Sequence, residues 1–218
     1  MEPAVQELLN SPKLALHVRT FNRVLEEERQ KREHFYNEVT EYEKAEFING
    51  EIIVHSPAKK RHTEAGKLLL RLLDLYVQIG DLGFVGFEKT LVTLTRNDYE
   101  PDLCFFRKEQ GQAFTSDQMK YPAPDFIAEI LSPSTEGRDR GVKFEDYAAH
   151  GVGEYWLLDA KAEVVEQYVL KDGRYVLRMK SGSGQIESEV IDGLVIPVRA
   201  LFDDEVNLQE VQRIVQSR

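Results

Sequence analysis

The sequence has 218 residues, of which 42% are hydrophobic and 30% are charged, and its formal net charge is −10. This composition permits a folded core and argues against a mainly disordered chain. No apolar run approaches the roughly 18–20 residues of a membrane span, and the first residues lack the basic and apolar regions of a secretory signal. The acidic balance also weighs against strong non-specific binding of nucleic acid, because phosphate contacts depend largely on lysine and arginine.

The single cysteine, Cys104, leaves no partner for an internal disulfide, which fits a reducing, cytoplasmic location. Cys104 lies in an apolar, strand-like run, so we interpret it as a small core residue and not as a thiol nucleophile. The length allows one domain with a short extension.

Residues 1–41 differ from the rest and are predicted to form an N-terminal helical extension. The stretch 14–39 contains no glycine or proline, and its apolar positions are interrupted by the wholly polar run 26–33. Ser11 before Pro12 is typical of an N-cap followed by proline at the first helical position. The helix is interpreted either as a solvated packing helix or as an arm that contacts a second subunit.

From residue 45 the pattern becomes that of a mixed α/β domain, which we place at residues 42–204. Asn49-Gly50 between two apolar runs predicts a hairpin with a type I′ turn. Helical spacing of apolar residues predicts a helix over 59–79 with Gly80 as its C′ residue. The remaining predicted elements are strands at 84–87, 91–94, 103–106, 126–131 and 155–158, a helix over 138–150 that stops at Gly151, a hairpin of 164–170 with 175–179, and a C-terminal helix at 205–216. This order predicts an α+β fold, a mixed sheet with helices packed on it.

Acidic residues stand within or at the edges of the apolar strands: Glu46, Asp102 and Glu129. Glu129 is the clearest case, because its neighbours are all apolar and a charged carboxylate there loses its hydration. Two interpretations remain open for it. Either a buried lysine or arginine neutralises it, or it holds a cation together with Asp102. Two carboxylates from adjacent strands, with water and a substrate phosphate, suit Mg²⁺.

The helix that follows the Glu129 strand carries Lys143 and Tyr147, four residues apart on one face. Lys143 could orient an attacking water or stabilise charge on a phosphate, although most helical lysines do neither. Ser132 begins a serine-rich loop directly after the same strand. We interpret the loop either as a substrate contact or as an ordinary turn with local hydrogen bonds.

The strongest basic cluster of the chain is Lys59-Lys60-Arg61-His62, at the start of the first core helix. Such a cluster could form the positive lip of a phosphate groove. The plainer interpretation of His62 is a capping or surface residue, which is the commoner role for a lone histidine near a helix start.

Several segments, in this order, resemble the Uma-type restriction-endonuclease-like family, which belongs to the PD-(D/E)xK nuclease superfamily. The resemblance spans residues 45–202, and it is specific through the order and spacing of its pieces. These pieces are Glu46-Phe47-Ile48-Asn49-Gly50-Glu51-Ile52, Ser56-Pro57 with His62, Glu100-Pro101-Asp102, Pro124-Asp125-Phe126-Ile127-Ala128-Glu129-Ile130-Leu131-Ser132-Pro133-Ser134, Lys143 with Tyr147, and Gly151-Val152-Gly153-Glu154-Tyr155-Trp156-Leu157-Leu158-Asp159.

The resemblance implies a restriction-endonuclease-like core and Mg²⁺-dependent hydrolysis of phosphodiester bonds, with Mn²⁺ as a substitute. It assigns the metal to Asp102 and Glu129. The superfamily lysine normally stands two residues after the second acid, where this chain has Leu131. The resemblance therefore points to Lys143 on the next helix as the replacement for that lysine.

Three further residues match family positions. Glu46 would be a third acid that helps the metal or the water. His62 and Glu51 match positions whose roles are less clear.

The leading functional prediction is a metal-dependent endonuclease that acts on DNA. The alternative is a catalytically inactive module with the same fold that binds nucleic acid or a protein partner, which the acidic balance and the displaced lysine favour. A third, weaker option is hydrolysis of another phosphate-containing substrate. A homodimer is also expected, because cutting both strands of a duplex needs two sites and twofold dimers are the commonest oligomers.

Overall fold

The structure is a computed structural model that describes residues 3–40 and 43–216. The chain divides into two compact units, Met1–His55 and Ser56–Arg218. The predicted boundary between residues 41 and 42 lies outside the described residues, so the domain predicted at 42–204 stays a prediction.

The first unit consists of two helices and a hairpin: α1 (Pro3–Leu9), α2 (Leu14–Glu38), β1 (Ala45–Ile48) and β2 (Glu51–Val54). The two strands pair antiparallel, with Ile48 opposite Glu51. The turn residues Asn49 and Gly50 both have positive φ, 51° and 83°, as a type I′ turn requires. The predicted hairpin is therefore confirmed.

The start of α2 differs from the prediction. The helix begins at Leu14, and Ser11 accepts a hydrogen bond at its Oγ from the backbone N–H of Lys13. The backbone carbonyl of Ser11 also accepts a bond from Leu14 N, so Ser11 closes a short turn before the helix. The predicted N-cap at Ser11 with Pro12 as the first helical residue is wrong, because the local turn takes the hydroxyl.

The second unit holds the remaining elements. The helices are α3 (Lys60–Gly80), α4 (Lys108–Gly111), α5 (Glu136–Asp139), α6 (Val142–Ala149) and α7 (Asp204–Gln216), with a 3₁₀ turn at Val198–Leu201. The strands are β3 (Gly83–Phe87), β4 (Leu91–Thr93), β5 (Asp98–Tyr99), β6 (Leu103–Arg107), β7 (Lys120–Tyr121), β8 (Phe126–Ile130), β9 (Glu154–Asp159), β10 (Val164–Lys171), β11 (Arg174–Ser181), β12 (Gln185–Glu187) and β13 (Val195–Pro197).

Six strands of the second unit form a mixed sheet in the order β11-β10-β9-β8-β6-β3. Strands β8 and β9 are parallel, and every other neighbouring pair in this sheet is antiparallel. The prediction of an α+β fold with a mixed sheet is confirmed. Strand β4 pairs antiparallel with β5 and parallel with β7, and β12 pairs antiparallel with β13.

One face of the sheet carries the main hydrophobic core. Alternate side chains of β6, β8 and β9 project to this face, because successive residues of a strand point to opposite sides. Helix α3 packs its buried stripe on them, together with α7 and the 3₁₀ turn. The strand residues of this core are Leu103, Phe105, Phe126, Ala128, Ile130, Trp156 and Leu158, and its α3 residues are Ala65, Leu69, Leu72, Leu73, Tyr76 and Val77.

The other face of the sheet is covered by α6 and is partly polar. Tyr147 of α6 lies edge-on to Tyr155 of β9, with 5.4 Å between the ring centroids, and both side chains are fully buried. In β8, Ile127 and Glu129 point to this face, because they alternate with the residues that point to the main core. Glu129 therefore lies away from the main core, which explains how an acid fits an otherwise apolar strand.

Two predicted helix boundaries are corrected. The helix predicted over 138–150 is two helices, α5 and α6, because Gly141 adopts a non-helical φ/ψ of −114°/−107°. Gly80 is the last residue of α3, and the left-handed position predicted for it belongs to Asp81, with φ 52° and ψ 43°. Within residues 3–40 and 43–216, none of the helices combines the length and apolar character that a membrane span requires.

Candidate active site

Asp102 and Glu129 meet at the end of the β6–β8 strand pair. Leu103 pairs with Ala128, and one further step of this antiparallel register sets Asp102 opposite Glu129. The backbone N–H of Asp102 donates to Glu129 Oε2 at 3.2 Å, and the N–H of Ile130 donates to Asp102 Oδ2 at 2.9 Å. Each carboxylate is thus fixed by the backbone of the other strand. The two side chains lie side by side, and both residues are buried, with exposures of 7% and 3%.

Lys143 brings a positive charge to Glu129. Its Nζ donates to Glu129 Oε1 at 2.8 Å, and the residue is 1% exposed. The hydroxyl of Tyr147, one helical turn further along α6, donates to the same oxygen at 3.3 Å. The structure therefore contains the buried ion pair that was one of the two interpretations of Glu129, and it places the pair beside Asp102.

Asp139 is a second acid at Lys143, and it was not predicted from the sequence. Its Oδ1 lies 3.5 Å from Lys143 Nζ, and its side chain is buried. The backbone carbonyl of Asp139 accepts a hydrogen bond from Tyr155. The four-residue spacing from Asp139 to Lys143 was the available signal, because residues at that spacing face each other on a helix.

Tyr99 lies next to the lysine and is hydrogen-bonded to Asp146. Lys143 Nζ lies 5.8 Å from the centroid of the Tyr99 ring, within the range of a cation–π contact. The Tyr99 hydroxyl donates to Asp146 Oδ2 at 2.7 Å, and Asn97 Nδ2 donates to the same oxygen at 2.7 Å. Burial and then the bond to Asp146 raise the pKa of Tyr99 well above its usual value. Tyr99 therefore stays a neutral donor.

His62 approaches the pair from α3. Its Nε2 lies 3.5 Å from Asp102 Oδ2, and its side chain is 22% exposed. The predicted basic cluster, residues 59–62, is thus at the end of α3 that lies next to Asp102. His62 is not the N-cap residue, because that position is Lys59 and His62 is the third residue of α3.

The buried acids and bases of this cluster lie close together. Lys143 pairs with Glu129 and lies 3.5 Å from Asp139, and His62 lies beside Asp102. Buried carboxylates that stand close together favour the uptake of a cation or a proton. Carboxylate oxygens are the ligands that Mg²⁺ and Mn²⁺ prefer, and an oxygen that accepts one hydrogen bond still has a second lone pair.

Across the described part of the chain, no three His, Cys, Asp or Glu side chains are grouped closely enough to hold a metal ion by themselves. A magnesium ion does not need such a group, because it usually keeps several waters and takes one or two carboxylates from the protein. Asp102 and Glu129 therefore fit a divalent metal that also contacts water and a substrate oxygen.

Glu46 and Glu51 belong to the first unit. Glu46 is fully buried in β1, and its Oε2 lies 3.0 Å from His55 Nε2, a partner that was not predicted from the sequence. Glu51 begins β2 and is exposed. Their roles at a metal site stay predictions.

Ser132 has the local hydrogen bonds of a turn. Its Oγ lies 3.0 Å from Ser134 Oγ and 2.9 Å from Thr135 Oγ1, and its carbonyl accepts bonds from the N–H groups of Thr135 and Glu136. This is the plainer of the two interpretations of the loop. A contact of Ser132 with substrate stays a prediction.

A further buried acid, Glu154, lies in β9 and has a structural role that the sequence did not reveal. Oε1 accepts hydrogen bonds from Trp156 and Gln167, both at 2.6 Å. Oε2 accepts from the Ser188 hydroxyl at 2.6 Å and from the N–H groups of Glu189 and Val190. Burial raises the pKa of Glu154, and these donors oppose the rise. Glu154 therefore ties β9 to the loop between β12 and β13.

Comparisons with known proteins identify the family to which the chain belongs. Residues 27–199 match the model of the Uma2 family, whose description is "Putative restriction endonuclease". The match covers well over half of the chain, so the chain belongs to this family, and the predicted resemblance is confirmed.

Two relatives come from Synechocystis sp. (strain ATCC 27184 / PCC 6803 / Kazusa). The uncharacterized protein sll1609 is 35% identical over 140 residues, which are 62% of this chain and 77% of that protein. The uncharacterized protein slr1290 is 28% identical over 176 residues, 78% of this chain and 89% of that protein. A solved structure from Anabaena variabilis ATCC 29413, a "putative nuclease belonging to DUF820", superposes with a TM-score of 0.63 at 18% identity, covering 72% of this chain and 89% of that one. This likeness shows a shared nuclease-like fold.

Proposed function

We propose that the chain is a DNA endonuclease that uses Mg²⁺, or Mn²⁺ as a substitute, held by Asp102 and Glu129. The observation that carries the proposal is the juxtaposition of these two buried carboxylates with the ammonium of Lys143, 2.8 Å from Glu129. Bound there, the metal would polarise a phosphate and lower the pKa of a water. The membership in the Uma2 family supports DNA as the substrate.

Lys143 has two roles in this proposal. Its ammonium holds Glu129 in place through the 2.8 Å hydrogen bond. It also stands where a positive charge would stabilise negative charge on a phosphate or orient the attacking water, which is effective in a buried site. Helix α6 thereby supplies the lysine that position 131, a leucine, lacks.

Other residues position these groups. Tyr147 donates to Glu129, and Asp139 Oδ1 lies 3.5 Å from Lys143 Nζ. His62, with the basic residues before it, would donate hydrogen bonds to the DNA backbone near Asp102. The proposal keeps Glu46 as a third acid, with Glu51 and Ser132 as supporting residues.

The proposal also includes a homodimer and a cytoplasmic location. Two copies are needed for hydrolysis of both strands of a duplex. The buried free thiol of Cys104, whose pKa burial raises, is compatible with a reducing compartment.

The second candidate is a nucleic-acid or protein-binding module without catalysis. The observation that favours it is that Lys143 and Tyr147 already donate to Glu129 Oε1. In that case the site would be a structural ion pair inside an inherited fold.

The test is DNA hydrolysis with Mg²⁺ and with Mn²⁺ on supercoiled plasmid, single-stranded and branched substrates. We expect cleavage by the wild type, loss of cleavage in Asp102→Asn and Glu129→Gln, and retention in Glu145→Gln, which removes an exposed carboxylate of α6. Lys143→Met is expected to lose cleavage and to keep metal binding. Absence of cleavage of all three substrates by the wild type with either metal contradicts catalysis and favours the binding module.

A further inference from the structure

Helix α2 carries an apolar seam in its N-terminal half. Leu14, Val18, Phe21 and Leu25 follow each other at intervals of four, three and four residues. This spacing places them in one line along the helix, as in the seam of a coiled coil. Val18, Phe21 and Leu25 are 44%, 49% and 50% exposed. The seam is thus a contiguous apolar surface on the side of the helix that would normally be packed.

The same line continues into the C-terminal half of α2, where the chain covers it. Phe35 is buried and packs against Phe47 of β1 in a tilted arrangement, with 6.0 Å between the ring centroids. A Cβ atom on Gly50 in the hairpin turn would lie 2.8 Å from Glu28 Cγ, so the turn contacts the helix at Glu28. The β1–β2 hairpin therefore covers the line from Glu28 onward, whereas Val18, Phe21 and Leu25 stay exposed.

We propose that residues 14–25 of α2 pack against the same residues of a second copy of this chain, in antiparallel orientation. The spacing of four, three and four reads the same from either end. A twofold axis between residues 19 and 20 then sets Leu14 opposite Leu25 of the other copy and Val18 opposite Phe21. Such a self-complementary surface is what an isologous dimer requires.

The residues beside the seam also fit a protein partner with the same surface. The positions that flank it between Leu14 and Leu25 are uncharged: Ala15, His17, Asn22 and Val24. The charged residues of this segment, Arg19 and Arg23, project away from the seam at helical spacing. Depletion of charge at the centre of an apolar surface is typical of protein interfaces. A phosphate-bearing partner would instead need cations along the seam.

The covered half of α2 decides the orientation. In a parallel pair, the β1–β2 hairpins of both copies would lie at the same end and compete for the space beside Glu28. In an antiparallel pair the hairpins lie at opposite ends. The exposed parts of Val18, Phe21 and Leu25 amount to on the order of 300 Å² per copy, taking roughly 200 Å² for a whole large side chain. With the flanking residues of both copies, the pair would bury about 1,000 Å², near the minimum for a specific interface.

The inference is independent of nuclease activity. The seam lies before residue 27, where the match to the Uma2 family begins, so the family does not account for it. An inactive protein would form the same dimer, and an active monomer would contradict the inference without affecting the proposed chemistry.

The first test is sedimentation equilibrium of the full chain over a range of concentrations. We expect a reversible monomer–dimer equilibrium for the wild type. Phe21→Glu should weaken it at least 10-fold. Leu16→Glu, which changes a leucine that is 57% exposed on the opposite side of α2, should leave it unchanged. Circular dichroism checks that both variants keep their helix content. A wild type that is monomeric up to about 100 μM, or equal effects of the two variants, overturns the proposal.

The second test fixes the orientation by disulfide cross-linking, which is clean because the chain has one cysteine, Cys104, and it is buried. Leu14→Cys and Leu25→Cys proteins carrying different tags are mixed and oxidised with diamide. Antiparallel pairing predicts mainly the mixed disulfide. A dominant Leu25→Cys homodisulfide indicates parallel pairing and contradicts the model. Monomeric protein that binds phosphatidylcholine vesicles through Phe21 would instead assign the seam to a lipid surface.

Discussion

At the scale of single residues, the candidate site depends on the buried ion pairs of Lys143. Lys143 is the ammonium that lies within 3.5 Å of both Glu129 and Asp139. Removing one partner of a buried ion pair is costly, since the other charge stays in a poorly solvated place. The same arrangement gives the lysine its proposed catalytic position, so stability and chemistry share one side chain.

Lys143→Met tests the structural part of this account. We expect the free energy of unfolding to fall by about 3–5 kcal/mol, because Glu129 and Asp139 lose their buried cation. Urea unfolding followed by the fluorescence of Trp156, the single tryptophan, measures the change. Lys161→Met, at an exposed position, should change it by less than about 0.5 kcal/mol. A loss below about 1 kcal/mol for Lys143→Met would show that the pair is well solvated.

Glu166 gives a pH dependence at the residue scale. Arg140 donates to it at 2.7 and 3.0 Å, and this pair is the main reason why the pKa of Glu166 falls from 4.5 to about 2. A lowered pKa in the folded state means that the carboxylate stabilises the fold above pH 4.5. This stabilisation is lost as the pH falls from about 4.5 towards 2.

The matching experiment compares the wild type with Glu166→Gln in urea unfolding at pH 6, 4 and 3. The wild type should be more stable at pH 6, and its advantage should shrink steadily through pH 4 and 3. An advantage that stays constant across this range would mean that the ion pair with Arg140 does not set the pKa of Glu166.

At the scale of elements, α6 carries Lys143 and Tyr147, so the stability of its ends affects the position of both side chains. Gly151 follows the helix with φ 80°, and no atom would meet a Cβ there within 4 Å. Gly151→Ala should therefore cost about 1–2 kcal/mol through its left-handed backbone alone. Gly137 of α5 has equally open surroundings without a positive φ, and Gly137→Ala should stabilise by about 0.4–1 kcal/mol. Thermal unfolding compares the two, and equal effects would contradict this assignment.

Local patterns predicted most of the elements. The apolar runs of β6, β8 and β9 were visible as buried strands, and Asn49-Gly50 identified its turn type. The break between α5 and α6 was not visible, because residues 138–150 keep helical spacing across Gly141. The start of α2 was also misplaced, since the hydroxyl of Ser11 accepts a hydrogen bond from Lys13 in a turn before the helix.

The candidate site could be predicted only in part, for a related reason. An acid inside an apolar strand and an acid before the neighbouring strand are visible in the sequence, so Asp102 and Glu129 could be predicted. The contacts of Asp139, His55 and Glu154 depend on how distant elements pack, and no short-range pattern encodes them. Lys143 was found through the family resemblance and its helical position, and the sequence did not determine whether it reaches Glu129.

At the scale of the whole molecule, a net charge of −10 limits DNA binding to local basic surfaces. Affinity for a fluorescent duplex, measured by anisotropy with Ca²⁺ in place of Mg²⁺, should therefore fall only moderately with salt. Replacing Lys59, Lys60 and Arg61 by glutamine should reduce the slope of log affinity against log salt by up to about 2–3. The control is Lys171→Gln with Arg174→Gln on the β10–β11 hairpin, which removes two exposed cations elsewhere. An equal reduction in the control would mean that residues 59–61 are not a specific DNA contact.

The central claim is that Asp102 and Glu129 together hold one divalent metal ion, and isothermal titration calorimetry with Mn²⁺ and Mg²⁺ tests it most directly. The account predicts a saturable binding event in the wild type and in Glu145→Gln, and at least about 10-fold weaker binding in Asp102→Asn and in Glu129→Gln. Circular dichroism of each variant ensures that the fold is retained. Absence of binding in the wild type, or equal binding in all four proteins, would contradict the claim.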